Sequence, residues 1–560
     1  MMRKDPDTLS ALSLPASRRR FLSRISQATI ATVAASALLP SLHSVRAANP
    51  GQSKTSEPTR TDDNQRRNRA YQIRQQAALY QKNLPLAPHP INGDEERYTN
   101  RIGSYSKALP HNSLGEVNAA AYGALIKALA SGTPSDFETI PLGGVVKQAN
   151  PQAAFAYELE GSDSHCLAIG APPSFSSAEL AGEMVELYWQ ALTRDVPFSD
   201  YNTDALINDA AVELSKLSDF RGPKTGGQVT TETIFRGRTA GDLAGPYVSQ
   251  FLWKDFLYGA TPLSQLIRTT APGREYLTTY SAWLAVQNGA AAAATASQFD
   301  STPRYIRNGR DLAEYVHRDF SYQAFLNAAL ILFGMRAPLD SASPYSRSKS
   351  QSGFSTFGSP HVLDLLARVA NSALKAAWYQ KWSVHRHLRP EEFGGRVHNH
   401  KTGAARYPLH AEVLGSVALN RVYGKYGSYL LPMAYPEGAP THPSYPSGHA
   451  AVAGACTTVL KAFFDESFVI ANPVEATPDG LMLIPYAGQQ LTVGGELNKL
   501  ASNIAIGRNT AGVHWRSDAI EGLALGEAVA IGILTDMRGC FNEKFDGFSL
   551  SRFDGTTITV

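Results

Sequence analysis

The sequence predicts an all-α protein: a large helical-bundle protein with two four-helix-bundle-like cores and few short strands. Apolar residues recur every three to four positions in most segments between residues 113 and 537, as on one face of a helix. Alternating apolar and polar residues, the pattern of a half-buried strand, are scarce. The chain has 560 residues, of which 43% are hydrophobic, and it can therefore bury large cores.

We divide the chain into four segments. Residues 1–47 form a predicted twin-arginine signal peptide, and residues 48–112 form a polar linker followed by an N-terminal arm. Residues 113–340 form an N-terminal helical region. A Ser-rich loop then leads to a C-terminal helical region at residues 361–560, which contains the candidate oxyanion site described below.

The first segment has the three parts of an export signal. Arg18, Arg19 and Arg20 precede Phe-Leu, a weakly apolar run follows, and small residues lie near Ala47. The arginines followed by Phe-Leu resemble a bacterial twin-arginine signal, which predicts export to the periplasm or the medium. A basic amphipathic helix is the alternative. The apolar run is too short and too polar for a stable membrane span.

Charge and cysteine content argue against a nucleic-acid-binding protein, a cysteine zinc site and a disulfide framework. Without residues 1–47 the chain has 45 Lys or Arg and 47 Asp or Glu, a formal net charge of −2. Nothing in this balance favours binding to nucleic acid. The three cysteines, Cys166, Cys456 and Cys540, are far apart and have neither zinc-site spacing nor a disulfide framework.

Helical patterns account for most of the first half. A capping box at Ser113–Glu116 predicts a helix that ends at Gly132, and Ser176 opens another that runs through Leu192. A helix near Ala70–Asn83 precedes them in the arm. Further helices are predicted at about residues 203–218, 246–258, 275–297 and 308–334.

The second half predicts a long helix at residues 361–389 that Pro390 stops. A Gly/His-rich loop and a helix at about 409–426 follow. Another helix begins at Ser447, and residues 470–490 predict a loop or short hairpin. The last two helices are expected from about Glu496 to residue 509 and from His514 to Met537, with a break around Asn509–Gly512.

Ser447, Gly448 and His449 mark a candidate anion site at a helix start. A helix N-terminus offers unpaired backbone N–H groups and partial positive charge, and Gly448 lets a ligand approach the backbone. His449 adds a titratable imidazole. His442 lies seven residues upstream. A capped helix with a surface histidine is the alternative for this stretch alone.

Two further clusters carry positive charge and histidine. Lys381, Arg386 and Arg389 lie near the predicted end of the long helix, where Lys381, His385 and Arg389 would share one stripe. Cations at a helix C-terminus are also common for dipole reasons alone.

The last cluster is Arg508 and His514. The expected turn between these two residues could bring both into one pocket. Asp518, four residues after His514, could hold the imidazole through its second nitrogen. The three permanent cations Lys381, Arg389 and Arg508 match an oxyanion such as phosphate or vanadate.

Together these motifs resemble the vanadium-dependent haloperoxidases, whose pocket is shared with type-2 phosphatidic-acid phosphatases and bacterial acid phosphatases. The resemblance rests on three motifs in order: Lys381 with Arg389-Pro390, Pro446–His449, and Arg508 with His514 and Asp518. The flanking residues 378–391, 440–450 and 503–514 are similar to the bromoperoxidase branch. The resemblance covers about residues 361–537.

The resemblance implies a role for each motif residue. His514 would be the vanadium ligand, and His449 would be the acid/base. The residues that would hold the vanadate oxygens are Lys381, Arg389, Ser447, Gly448 and Arg508. Lys381 would also polarise peroxide, and Trp378 and His442 would lie on the halide side.

The implied activity is oxidation of halide by hydrogen peroxide with vanadate as cofactor, yielding hypohalous acid that halogenates small organic acceptors. His442 favours bromide or iodide over chloride. The alternative is a phosphomonoester hydrolase that uses His514 as nucleophile. His442, Trp378 and Trp382 favour the peroxidase, because a phosphatase has little need for an aromatic and imidazole halide side. The family also implies a homo-oligomer, a dimer or larger.

Overall fold

Helices dominate the protein, as the computed structural model shows for the residues it describes, 62–293 and 297–560. The signal-peptide prediction for residues 1–47 lies outside the described residues, as does most of the predicted linker. The helices of the first half are α1 (Asp63–Asn83), α2 (Asp94–Arg97), α3 (Ala119–Ser131), α4 (Pro134–Phe137), α5 (Ala178–Thr193), α6 (Ala205–Lys216), α7 (Tyr280–Gln287), α8 (Gly309–Arg318) and α9 (Gln323–Gly334).

The helices of the second half include the longest in the described chain. They are α10 (Ser359–Tyr379), α11 (Pro390–Thr402), α12 (Ala411–Leu414), α13 (Val417–Tyr426), α14 (Gly448–Phe463), α15 (Val493–Thr510) and α16 (Arg516–Arg538). A π-helical segment, Gln380–His385, extends α10. Short 3₁₀ turns lie at Pro151–Phe155, Ser164–Cys166, Phe198–Asp200 and Gln250–Leu252.

Three antiparallel hairpins are the strands of the described chain. They pair β1 (Phe256–Tyr258) with β2 (Thr261–Leu263), β3 (Val474–Ala476) with β4 (Leu483–Pro485), and β5 (Ser549–Ser551) with β6 (Thr557–Thr559). The prediction of an all-α fold with few short strands is confirmed, and so is the hairpin within residues 470–490.

The predicted helix at residues 246–258 is wrong. A 3₁₀ turn capped by Ser249 is followed by strand β1, and Gly259 turns the chain at φ 63° into β2. Phe256 and Tyr258 are aromatic residues, a type enriched in strands.

The predicted capping box at Ser113–Glu116 is also wrong. The Asn112 side chain accepts hydrogen bonds from the backbone N–H groups of Leu114 and Glu116, which forms a turn rather than a helix start. Helix α3 begins after Asn118, whose side chain caps Ala121 N, and it ends at Gly132 as predicted.

Two long helical predictions are shorter or divided in the structure. Of the described residues between 275 and 297, only Tyr280–Gln287 are α-helical, and Gly289 at φ 77° follows the helix end. Residues 308–334 form α8 and α9 with a break at 319–322, which places Asp319 at the end of α8.

The long helix predicted to run to Arg389 ends earlier. Arg386 adopts a left-handed conformation at φ 41°, which terminates the π-helical segment, and Arg389 is the N-cap of α11. Pro390 therefore begins a helix, as proline at position N1 commonly does, and the Gly/His-rich stretch is helical. The predicted stripe of Lys381, His385 and Arg389 on one helix is wrong.

Helices α10, α14, α15 and α16 pack into the bundle that contains the site. Glycines permit the close crossing of α14 and α16: a Cβ on Gly522 would lie 2.6 Å from Ala450 Cβ, and one on Gly526 would meet the Ala451 carbonyl oxygen. Buried hydrophobic residues from both halves form one continuous core, and a smaller cluster surrounds Tyr105 and Trp382. The domain boundaries stay a prediction.

None of the helices in the described part of the chain has the length and apolar character needed to cross a membrane.

We expect Gly526→Ala to lower the thermal unfolding midpoint, because the added methyl group collides with the backbone of α14. Overpacking of this kind costs about 1–3 kcal/mol. The matched control is Gly424→Ala in α13, where an added Cβ meets nothing within 4 Å. Helix propensity should make that control neutral or more stable by up to about 1 kcal/mol. Equal midpoints for the two variants would contradict the proposed crossing.

Candidate functional site

The three predicted clusters converge at one buried place. Lys381 comes from the π-helical segment and Arg389 from the N-cap of α11. Arg508 comes from the last turn of α15, and His514 from the short connection to α16. The N-terminus of α14 completes the site, which we call the cation site.

Arg389 joins the three clusters. Its guanidinium donates to the carbonyl oxygens of His442 at 2.9 Å and Val513 at 2.7 Å. It also donates to His514 Nε2 at 3.0 Å and to His442 Nδ1 at 2.9 Å. The backbone N–H of Arg389 donates to Glu392, which caps α11. Burial lowers the pKa of Arg389 to about 10, so the group stays charged at neutral pH.

His514 is held as a neutral imidazole with a defined tautomer. Its Nδ1 lies 2.7 Å from Asp518 Oδ2, and Arg389 donates to its Nε2. A guanidinium cannot accept a hydrogen bond, so Nε2 carries the lone pair and Nδ1 the proton. Burial, and then the neighbouring charges of Arg389 and Lys381, hold the pKa of His514 well below its usual value. The unprotonated Nε2 of His514 therefore has the form that binds a metal.

Asp518 supports this arrangement, as predicted from its spacing to His514. Its Oδ2 accepts hydrogen bonds from His514, from the hydroxyl of Ser444 and from Trp515 N. Burial raises the pKa of Asp518 to about 6, and Lys381 opposes the shift. The carboxylate thus fixes the imidazole and the start of α16 together.

Lys381 and Arg508 point into the same region. Lys381 Nζ donates to the carbonyl oxygens of Pro443 at 2.8 Å and Ser444 at 2.7 Å, and burial holds its pKa well below the usual value. Arg508 Nη1 donates to Val316 O at 2.7 Å, and its guanidinium lies over the Tyr435 ring. Arg508 Nε is buried and has no hydrogen-bond partner among the described residues.

The helix start at Ser447 matches the prediction. The Ser447 side chain caps Ala450 N, and α14 begins at Gly448. A Cβ on Gly448 would lie 3.3 Å from Trp378 Cζ3, so glycine leaves room for that ring. The first N–H groups of the helix are the kind that bind an anion.

His449 stands at the more open side of the site. Its Nε2 lies 3.1 Å from Asp319 Oδ1, and its side chain is 27% exposed, against 3% for Asp319. The same helix α8 therefore supplies Val316 O to Arg508 and Asp319 to His449. An imidazole that is held by a carboxylate and reaches solvent can move a proton.

His442 and Trp378, the residues predicted for the halide side, lie together beside the cation site, and we call this pair the side wall. Their rings lie 4.7 Å apart, and Trp378 Nε1 donates to Ala149 O at 3.1 Å. Trp382 instead lies in the small core cluster, where its ring meets Tyr105 edge-on at 5.6 Å. Arg386 pairs with Glu95.

Sequence reasoning missed four supporting residues: Asp319, Tyr435, Ser444 and Glu392. Ser444 lies inside the Pro440–Ala450 stretch, and Glu392 stands at the third position of a helix that starts with proline, so local capping rules could have found it. Asp319 and Tyr435 lie more than 70 residues from the side chains they support, and no local pattern predicts those contacts.

The cation site fits an oxyanion. Within the described residues, no carboxylate forms an ion pair with Lys381, Arg389 or Arg508, although all three are buried. Buried charges are normally paired, and here the donors are an unpartnered guanidinium N–H, an ammonium and a helix start. The neutral His514 Nε2 adds a ligand for the central atom, which fits vanadate.

Comparisons with known proteins agree with this geometry. The family model described as the VCPO second helical-bundle domain matches residues 363–543. The vanadium-dependent bromoperoxidase of Corallina pilulifera is 36% identical over 586 aligned residues, which cover 88% of this chain and 98% of that protein. The vanadium-dependent bromoperoxidase of Ascophyllum nodosum is 36% identical, covering 89% and 95%.

A solved structure is similar over nearly the whole fold. The homohexameric second vanadate-dependent bromoperoxidase of Ascophyllum nodosum superposes with a TM-score of 0.86 at 32% identity, covering 92% of this chain and 94% of that one. The phosphatase alternative is not favoured by these relatives. From its sequence and its fold, the chain belongs to the vanadium-dependent bromoperoxidases.

Proposed function

We propose that the protein uses vanadate to oxidise halide, bromide or iodide in preference to chloride, with hydrogen peroxide. The products are hypohalous acid and, from it, halogenated organic acceptors. The observation that carries the proposal is that Lys381, Arg389 and Arg508 are buried around the unprotonated Nε2 of His514, and that no carboxylate within residues 62–293 and 297–560 pairs with them. The relatives named above support the same activity.

The residues of the cation site would hold the cofactor. His514 Nε2 would bind vanadium, while Lys381, Arg389, Arg508, Ser447 and the Gly448 N–H would bind the oxygens. Bound vanadate would supply a Lewis acid that activates peroxide toward halide. The fixed cations compensate negative charge without rearranging, because backbone carbonyl oxygens hold them in place.

His449 Nε2 donates to Asp319 Oδ1, which orients the ring. The other ring nitrogen, Nδ1, would therefore accept and return protons at the site. Trp378 and His442 would line the halide path. The indole N–H of Trp378 donates to Ala149 O, so a halide would contact the face of the indole ring.

Two further proposals concern assembly and location. We propose a homo-oligomer, because the similar Ascophyllum nodosum structure is homohexameric. We also propose export by the twin-arginine route to the periplasm or the medium, because Arg18 and Arg19 precede Phe-Leu and an apolar run.

The function is tested by a peroxide-dependent bromination assay on purified protein with and without orthovanadate. We expect activity only with vanadate, and its loss to background in His514→Ala, because the metal ligand is gone. His410→Ala, at the N-cap of α12 and not among the residues of the cation site, is the matched control. Hydrolysis of a phosphomonoester that vanadate inhibits, without bromination, would refute the proposal and establish the phosphatase.

Asp319→Asn should lower kcat by about 10- to 100-fold while leaving the affinity for vanadate nearly unchanged. The substitution removes the charge that orients His449 but touches none of the oxyanion donors. The bromination rate, measured at a series of orthovanadate concentrations, gives kcat and the affinity for vanadate separately. Asp554→Asn, an exposed carboxylate near the C-terminus, serves as control. A tenfold weaker vanadate affinity with unchanged kcat would contradict this role.

Export is tested in a bacterial host that has a twin-arginine translocase. We expect the chain with Arg18→Lys and Arg19→Lys to remain in the cytoplasm, while the parent chain reaches the periplasm or medium. Arg3→Lys with Lys4→Arg is the control, since it exchanges basic residues outside the pair. Equal export of all three chains would show that the pair is not the signal.

A further inference from the structure

His317, in the last turn of α8, lies between two carboxylates. Its Nε2 is 2.6 Å from Glu437 Oε1, and its Nδ1 is 3.4 Å from Glu314 Oε2. A carboxylate accepts hydrogen bonds, so both ring nitrogens donate and the ring has the form of an imidazolium. Burial lowers the pKa of His317, but the hydrogen bonds to Glu314 and Glu437 outweigh burial and raise it above its ordinary value. No step of the function proposed above uses this histidine.

The ring of His317 covers one face of Tyr435. The ring centroids are 3.7 Å apart, and the ring planes are within 10° of parallel. A cation over the face of a tyrosine is attracted by the ring, so the protonated form of His317 strengthens the stack. The Tyr435 hydroxyl also donates to Ala313 O at 2.6 Å. Helix α8 therefore holds this buried tyrosine at two points, through its backbone and through His317.

Tyr435 in turn supports Arg508. The guanidinium carbon of Arg508 lies 5.5 Å from the centroid of the Tyr435 ring, and Nη1 donates to the Tyr435 hydroxyl at 3.4 Å and to Val316 O at 2.7 Å. Within the described residues, Arg508 binds this one backbone oxygen, whereas Lys381 and Arg389 each bind two. Arg508 therefore has the fewest backbone contacts of the three cations, and the Tyr435 ring completes its support.

The backbone beside Tyr435 is held by a contact that does not involve His317. Lys107 Nζ donates to the carbonyl oxygens of Glu437 at 2.8 Å and Ala439 at 2.6 Å. Loss of the His317 side chain would therefore leave this loop in place. Its effect would be on the ring of Tyr435 and, through that ring, on the guanidinium that the ring supports.

The groups around His317 determine how pH acts on it. The titratable and charged groups that surround it on α8, in the neighbouring loop, on the arm, on α14 and on α15 are Glu314, Arg318, Asp319, Tyr435, Glu437, Lys107, His449 and Arg508. Because the pKa of His317 is raised, the imidazolium is present at low pH and is lost as pH rises through that pKa. A neutral imidazole has one N–H, so it can donate to only one of the two carboxylates, and the ring is then less firmly held.

We propose that His317 is a positioning residue: its clamped ring holds Tyr435 against Arg508, so that this cation keeps its place in the cation site. The inference rests on the proposed function, because it takes the oxyanion of that site to be vanadate. Loss of a residue that orients a ligand-binding group weakens binding of the ligand about 10-fold or more.

The test measures orthovanadate binding to the purified full chain by equilibrium dialysis, at a series of pH values on both sides of neutrality. We expect His317→Ala to bind orthovanadate about 10-fold more weakly than the parent at the lower pH values. The difference should shrink as pH rises, because the parent then loses the imidazolium. Comparison of the two chains at each pH cancels the ionisation of orthovanadate itself. The matched control is His165→Ala, which removes an exposed histidine paired with Asp163 and should bind like the parent.

Two further variants complete the test, and the thermal midpoint of each chain reports folding. His317→Phe restores a flat ring over Tyr435 and should recover part of the affinity lost in His317→Ala. Glu437→Gln alters a carboxylate that is 46% exposed, and it decides the question if His317→Ala does not fold. It removes a charge that raises the pKa of His317, so the fall in affinity should begin at a lower pH than in the parent.

Three results would overturn the proposal: equal affinities of His317→Ala and the parent, a ratio of the two affinities that does not change with pH, or the parent pH dependence in Glu437→Gln. A lower thermal midpoint with unchanged binding would likewise leave His317 a structural role only. Dialysis needs no turnover. A parent that binds orthovanadate without bromination would therefore refute the proposed function alone, and the affinities of the variants would still decide the role of His317.

Discussion

Three cations are buried without a carboxylate partner among the described residues, and this is the constraint on which the site depends. Removing a charge from water is costly unless other polar groups replace the solvent. Here carbonyl oxygens of His442, Pro443, Ser444, Val513 and Val316 do so. These carbonyls lie in the loop before α14, in the α15–α16 connection and at the end of α8. The loops must therefore stay in place for the cations to stay buried, and the remaining positive charge is available to an oxyanion.

Asp518 connects this charge to the rest of the fold. It holds the His514 tautomer and the Ser444 hydroxyl, and it caps the start of α16. Helix α5 from the other half of the chain secures the same helix start: Glu186 pairs with Arg516, and Glu183 accepts from Ser517 N at 3.0 Å. Among the described residues, the N-terminal helical region thus supports the site without contributing an oxyanion donor, which explains why the motifs that predict the site all lie in the second half.

The sequence was informative wherever a motif residue acts through its own neighbours. Ser447 caps its own helix, and Asp518 reaches His514 one turn away, so capping rules and helical spacing predict both. The sequence pattern placed Arg389 at the site as the last residue of one long helix, and that helix prediction is wrong. The left-handed Arg386 turns the chain there, and an arginine at φ 41° has no local signal, because glycine and asparagine are the residues that usually adopt this conformation.

Contacts between distant segments were beyond local patterns. Asp319 and His449 are 130 residues apart, and their pairing depends on α8 ending at Arg318 and lying against α15. The sequence predicted one continuous helix across that break. Because the break creates both the Asp319 contact and the Val316 carbonyl contact, a wrong helix boundary concealed two supports of the site at once.

The side wall explains how one oxyanion cradle can serve a peroxidase better than a phosphatase. Hydrolysis of a phosphate ester needs space beside the oxyanion for an alcohol leaving group. In this chain Trp378 fills the space beside Gly448, and it contacts the neutral ring of His442. Burial and the charge of Arg389 hold the pKa of His442 well below its usual value. A neutral imidazole and an indole face are polarisable groups, which supports the proposed preference for a large, weakly hydrated anion such as bromide or iodide. Selection between the two chemistries therefore lies in what packs beside the cradle, since the cradle itself serves either.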